Sequence, residues 1–215
     1  MASLPLTPAP GSGASRFRIL WRLAIEAGSI APMNTITPPE ISPAVLKFVE
    51  QFNTATAPVY VPARPSLGEP VNDCFNVVAR RIASEGGSIE HGWAIWEWPT
   101  IMLEGEFHAV WLSPAGERVD IAPKPELRIG RILFLPDRSR RFEGQRVYNR
   151  RTPIRDNAAV RAFIRVSQEL DEMLGTDLAP SHFVGAAADA FRDVNRRKYE
   201  LVVKLHRMTP RQFRR

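Results

Sequence analysis

Apolar positions along this chain change their spacing several times, and each change marks an element. Behind Ser42 and Pro43, a capping serine and a proline suited to a first helical turn, Val45, Leu46, Val49 and Phe52 recur at helical spacing and predict a helix over 43–52. Pro58, Pro62, Pro65 and Pro70 then punctuate a stretch that reads as an extended connection. Phe75, Val78, Ala79 and Ile82 restore the helical period until Gly86 and Gly87 stop it, with Asn72 or Asp73 as cap, so Cys74 falls in the first turn. From Trp93 onward the pattern becomes strand-like. Segments 93–98, 100–104, 106–112, 118–121 and 131–135 are rich in aromatic and branched residues, and Ser113 to Gly116 has the composition of a hairpin turn.

Helical spacing returns over 156–174, with Val160, Phe163, Ile164, Val166 and Leu170 inward, and over about 181–206, with Phe183, Ala187, Phe191, Val194, Leu201 and Leu205. The expectation is an α+β fold: a central, mainly antiparallel sheet, a helix carrying Cys74 packed on it, and a C-terminal helical hairpin. Residues 1–39 read as a largely disordered extension poor in periodic apolar content, 40–137 as the central domain and 138–215 as a basic helical region.

Composition narrows this picture. No run of about 18 apolar residues exists, so no membrane span is expected. Arg22 and Glu26 interrupt the apolar stretch over 16–30, which lacks the unbroken core of a secretory signal. A single cysteine among 215 residues leaves no intramolecular disulfide framework and no Cys-only metal site, and suits a reducing, cytoplasmic setting. The net charge of +6 is uneven: from Arg138 onward there are 18 basic and 9 acidic residues. That excess suggests a polyanion, either nucleic acid or an acidic protein, held through Arg192, Arg196, Arg197 and Lys198; a solvated surface explains it equally well.

The candidate chemistry begins at Cys74, because the amides and dipole of a first helical turn stabilise a thiolate. A thiol nucleophile also needs a base, and a third group that orients the base. His108 opens the strand sequence His108-Ala-Val-Trp111, and a hairpin centred on Ser113 to Gly116 would bring Asp120 opposite it. This order of helix-start Cys, strand His and next-strand Asp resembles the papain-like and transglutaminase-like cysteine hydrolases. His108-Ala-Val-Trp111 is similar to that group's His-Ala-Trp, and Asp120-Ile-Ala-Pro123 to its Asp-Pro-Thr. The resemblance spans 70–123 and departs from the pattern before the nucleophile, where Pro70-Val-Asn-Asp-Cys74 lacks the usual glycine. It implies Cys74 as nucleophile, His108 as base and Asp120 as orienting residue. The oxyanion would sit on the Cys74 amide and the Asn72 side chain, with Asn76 a weaker candidate.

Trp93, Trp96 and Glu97 are candidates for a substrate groove, with Glu104 an alternative to Glu97 for recognising a basic group. The ligand-type residues His91, Glu104, Glu106 and His108 lack the spacing of a helical zinc motif, so no metal is expected. No glycine-rich phosphate loop opens a helix, so no cofactor is expected. Two functions are consistent with all of this. One is a thiol hydrolase or acyl transferase acting on an amide, peptide or thioester bond; the other is a non-catalytic binding module with a basic C-terminal surface.

Overall fold

The computed structural model describes residues 35–124, 129–176 and 183–213. Among these residues it has a mixed α/β architecture of four α-helices and one six-stranded antiparallel sheet. The expected disordered extension over 1–39 lies, for 1–34, outside the described residues. Residues 35–39 are not loose. Ile36 and Glu97 exchange backbone hydrogen bonds at 2.8 Å, and the Pro38 carbonyl accepts from the Tyr60 hydroxyl. The core therefore begins a few residues before position 40.

Helix α1 (Pro43–Glu50) starts where Ser42 Oγ accepts from the Val45 amide. Its buried face is Val45, Phe48 and Val49, continued by Phe52, whereas Leu46 is exposed. Strand β1 (Val59–Pro62) lies inside the proline-rich stretch. The prolines allow it because β1 stands at the end of the strand order, where β5 (Arg131–Pro136) is its one strand partner among the described residues and an edge tolerates a missing amide.

Helix α2 (Cys74–Glu85) buries Cys74, Val77 and Val78, while Ala79 is exposed. The helix is thus rotated about one residue from the expected stripe, and that rotation turns Cys74 itself toward the sheet. Strands β2 (Ser88–Trp98) and β3 (Met102–Leu112) form a long hairpin in register from Ser88–Leu112 to Trp98–Met102. The expected break near Gly105 is absent. Glycine is there because the Phe52 ring rests on the strand, and a Cβ would meet its Cζ at 2.5 Å.

β4 (Arg118–Val119) and β6 (Arg150–Pro153) share the free edge of β3, at its two ends. Residues 106–110 of β3 lie between them. β6 was not expected, since an arginine-rich tetrapeptide carries no strand pattern; its pairing makes the C-terminal region part of the sheet. The sheet order β1-β5-β2-β3-β4 nearly closes into a barrel, because Asp120 bridges to Ala63 beyond β4.

Trp93, Ile95, Leu103, Phe107, Leu133 and Leu135 face α1 on one side of the sheet. Ala94, Val110, Ile132, Phe134 and Val61 fill the other. Helices α3 (Ala158–Leu174) and α4 (Ala186–Met208) pack together through Val166, Leu170 and Val194, forming the expected hairpin. They dock on Trp98, Ile101 and Met102 through Val160, Phe163, Val202 and Leu205. The Trp98 indole donates to Thr209 Oγ1 at 2.7 Å, tying the end of α4 to the hairpin. No helix among the described residues is long and apolar enough to cross a membrane.

Candidate functional site

The first turn of α2 is shaped by the backbone before it. Asn72 adopts φ 58°, the left-handed region that glycine enters most freely and asparagine better than most other residues. Asparagine thus supplies the turn ahead of Cys74 where a glycine was missing. Asp73 occupies the cap position, but its carboxylate does not cap the helix; it accepts from Asn76 Nδ2 at 2.6 Å and from Arg80. This corrects the expected capping role and engages Asn76 away from the thiol. Cys74, 9% exposed, packs among Val77, Val78, Ala109, Val119, Ile121 and Ala122.

His108 and Asp120 are 4% and 0% exposed, and His108 Nε2 lies 3.0 Å from Asp120 Oδ1. The route to this contact differs in register from the expected one. Trp111 faces Val119 and Leu112 faces Arg118, so Asp120 falls level with Val110 and diagonal to His108 on the same strand face. The proline-rich segment fixes it there: the Asp120 amide donates to the Pro62 carbonyl, and the Asp120 carbonyl accepts from the Arg64 amide. A stretch read from sequence as a connection is what holds the acid.

Asp120 has a second partner, Lys124, whose Nζ lies 2.5 Å from Oδ2. Its Oδ1 also accepts from the Ala122 amide at 3.3 Å. Burial alone would push the carboxyl pKa up, but the His108 and Lys124 charges and hydrogen bonds bring it down to about 2. The imidazole shows the opposite balance. Burial and Lys124 push its pKa down; the Cys74 sulfur, then Asp120, outweigh them and raise it to about 10. Of the influences that raise it, Cys74 is the largest. Nε2 is the ring nitrogen that meets Asp120, and the carboxylate does not occupy Nδ1.

In comparisons with known proteins the chain matches no family model, no curated protein and no solved structure. The site must therefore be read from its own geometry.

Lys124 gave no signal in the sequence, because it follows Pro123 in a loop, where spacing says nothing about facing. It reaches toward the Trp96 ring, 6.0 Å from Nζ to centroid, and the Trp96 indole donates to Glu106 at 2.9 Å. Trp96, half-buried, therefore borders the His108–Asp120–Lys124 cluster. Trp93 does not: it is 1% exposed in the core, its indole donating to Asp137. Glu97 is half-buried at the far end of β2, where burial and then Glu40 raise its pKa. The metal candidates do not converge. Glu104 binds Arg151 and Asn149, Glu106 binds Trp96, and His91 stacks near Phe75.

The basic set on α4 is not a free patch. Arg192 pairs with Asp189, Arg196 with Asp193 and Glu200, and Arg197 with Glu169 and Asp193. Lys198 turns inward over the Phe163 ring, where burial and then Arg151 lower its pKa. Helix geometry brings most of these arginines to carboxylates three or four residues away.

Proposed function

We propose that the protein is a thiol hydrolase or acyl transferase acting on an amide, peptide or thioester bond, with Cys74 as nucleophile, His108 as base and Asp120 as orienting acid. The observation that carries this reading is the buried His108–Asp120 hydrogen bond, joined to a cysteine in the first turn of a helix whose sulfur is the main influence raising the imidazole pKa. A helix start against a sheet, with His108 on β3 and Asp120 directly after β4, also accords with the papain-like and transglutaminase-like resemblance.

In this mechanism His108, with its raised pKa, already holds the thiol proton at Nδ1 when the Cys74 sulfur attacks the carbonyl carbon. Asp120, accepting from the other ring nitrogen, fixes the tautomer and stabilises the imidazolium. The tetrahedral oxyanion sits on the Cys74 amide, which no side chain caps, with Asn72 beside it as second donor. As the C–N or C–S bond breaks, His108 returns its proton to the leaving group, and the acyl group stays on sulfur as a thioester. Water or an acceptor nucleophile then gives its proton to His108 and attacks the thioester, releasing the acid or the transferred acyl product and restoring the thiol.

Alkylation by iodoacetamide across pH tests the pair before any substrate is known. Folded wild type is expected to react at Cys74 below pH 7, and His108→Ala to lose that limb by about tenfold or more at pH 6.5, since a free thiol with pKa about 8.5 is mostly protonated there. A thiol that reacts only after unfolding, or a profile indifferent to His108, would sink the reading.

A further inference from the structure

The arginine-rich segment after β5 behaves differently from α4. Between 138 and 151 six arginines face a single acid, Glu143. Arg146 and Arg151 are held by Asp171 and Glu104. Arg138, Arg140 and Arg141 are exposed, and among the described residues none has a carboxylate within ion-pair distance. Arg140 and Arg141 line a cleft of about 310 Å³, with Arg146, Tyr148, Thr176 and Glu143. Its floor is anchored: Arg146 donates to Asp171 at 2.5 Å and its amide to the Thr176 carbonyl. A concave surface with three guanidinium groups, one of them pre-positioned, is built to take a negative charge.

Cys74 does not line the cleft, but the residues next in sequence to Arg141 and to Cys74 meet in one ring stack. Phe142, directly after Arg141, lies face to face on Phe75 with ring centroids 3.9 Å apart and planes 3° from parallel. Phe75 directly follows Cys74 in the first turn of α2. His91 neighbours the same ring at 6.0 Å, and Arg141 is among the influences that lower its pKa, after burial. We propose that the cleft beneath Arg140, Arg141 and Arg146 recognises an anionic group, carboxylate or phosphate, on the molecule whose acyl group Cys74 takes. This rests on the thiol reading above.

The test uses the full chain at low salt, titrated calorimetrically with inorganic pyrophosphate and, separately, with glutarate. At least one is expected to bind; the probe that binds more tightly identifies the source of the charge. Arg140→Gln/Arg141→Gln should weaken binding about tenfold, Glu143→Gln should strengthen it, and added salt should weaken it by screening. Both altered arginines are exposed, so the melting temperature should hold. Saturating probe should slow iodoacetamide alkylation of Cys74 by about threefold or more, by crowding a shared approach. The inference is overturned if neither probe binds, if the double variant binds as wild type does, or if a saturating probe leaves alkylation unchanged. Alkylation without probe reports on the thiol alone. If folded protein fails there, the thiol reading falls and takes this inference with it, a result distinct from failure of the anion arm.

Discussion

Strand β3 carries two buried charged clusters on one face, four residues apart, and they are built to opposite ends. Around Glu104, Arg151 forms bonds to Glu104 at 2.8 Å and to Asp171 at 2.9 Å, while Asn149 shares the same Glu104 oxygen and Arg146 takes the other Asp171 oxygen. The donors bonded to the carboxylates there are guanidinium and amide groups, which give up no proton near neutral pH. Around His108 the members are an imidazole, a carboxylate, an amine and a thiol. Two of these can trade a proton, and one imidazole nitrogen is not taken up by the carboxylate. A buried charge network fastens a fold when its members hold their charge and supports chemistry when one of them can give it up.

The largest effect should come from opening the closed network. Arg151→Met leaves Glu104 and Asp171 buried without their shared cation, and breaking a pair in this way costs about 3–5 kcal/mol. For a chain of this size that corresponds to roughly 6–20 °C in melting temperature. Below that melting point the iodoacetamide rate at Cys74 should stay close to wild type, because the two clusters share no bonded partner. A thermal melt and an alkylation rate on one preparation check both halves. A stable variant, or a thiol slowed in the folded protein, would break the contrast.

Much of the site was legible in the sequence because its signals are local. A helix start at Cys74, a strand through His108 and a turn before Asp120 each depend on a few neighbouring residues. The parts that were not legible depend on contacts between distant segments. β6 is a run of arginine, threonine and proline that becomes a strand because Arg151 is drawn between Glu104 and Asp171. Lys124 enters the site only because Asp120 is held by Pro62 and Arg64, about sixty residues earlier. The rotation of α2 that turns Cys74 inward is decided by packing on Ala109 and Val119, which a helical stripe read alone leaves ambiguous by a residue.

A smaller effect separates the clusters by pH. Asp120 in the folded protein titrates near 2, below its unfolded value of about 3.9, so its contribution is present above pH ~4 and is lost as pH falls through about 2. His108 is raised to about 10 from about 6.5, so its contribution is full below pH ~6.5 and is lost as pH rises through about 10. Stability should therefore be highest between about pH 4 and 6.5 and decline on the alkaline side. Cys74→Ser removes the largest influence raising the imidazole pKa and should flatten that decline, whereas Arg151→Met should lower the whole curve without changing its alkaline slope. Melting temperatures from pH 4 to 10 on the three proteins decide it; an alkaline slope unchanged in Cys74→Ser would uncouple the thiol from the ring.

The smallest effect concerns Lys124, which acts on the site without touching the ring. Its ammonium holds Asp120 Oδ2 at 2.5 Å, leaving Oδ1 for His108, and its charge opposes protonation of the imidazole. Lys124→Met removes both effects. The Asp120 carboxylate then faces His108 with its charge undivided, and the repulsion between two buried cations is gone. Both changes move the His108 pKa further up, by about one unit or less for a single neighbouring charge. Lys124→Arg keeps the charge and should restore the wild-type value. Side-chain NMR titration of His108 reads the shift directly, and a merely structural lysine would leave the resonance in place while lowering the melting temperature. A downward shift in Lys124→Met would mean that Asp120 had swung away from the ring, making Lys124 the residue that positions the acid rather than the one that tempers it.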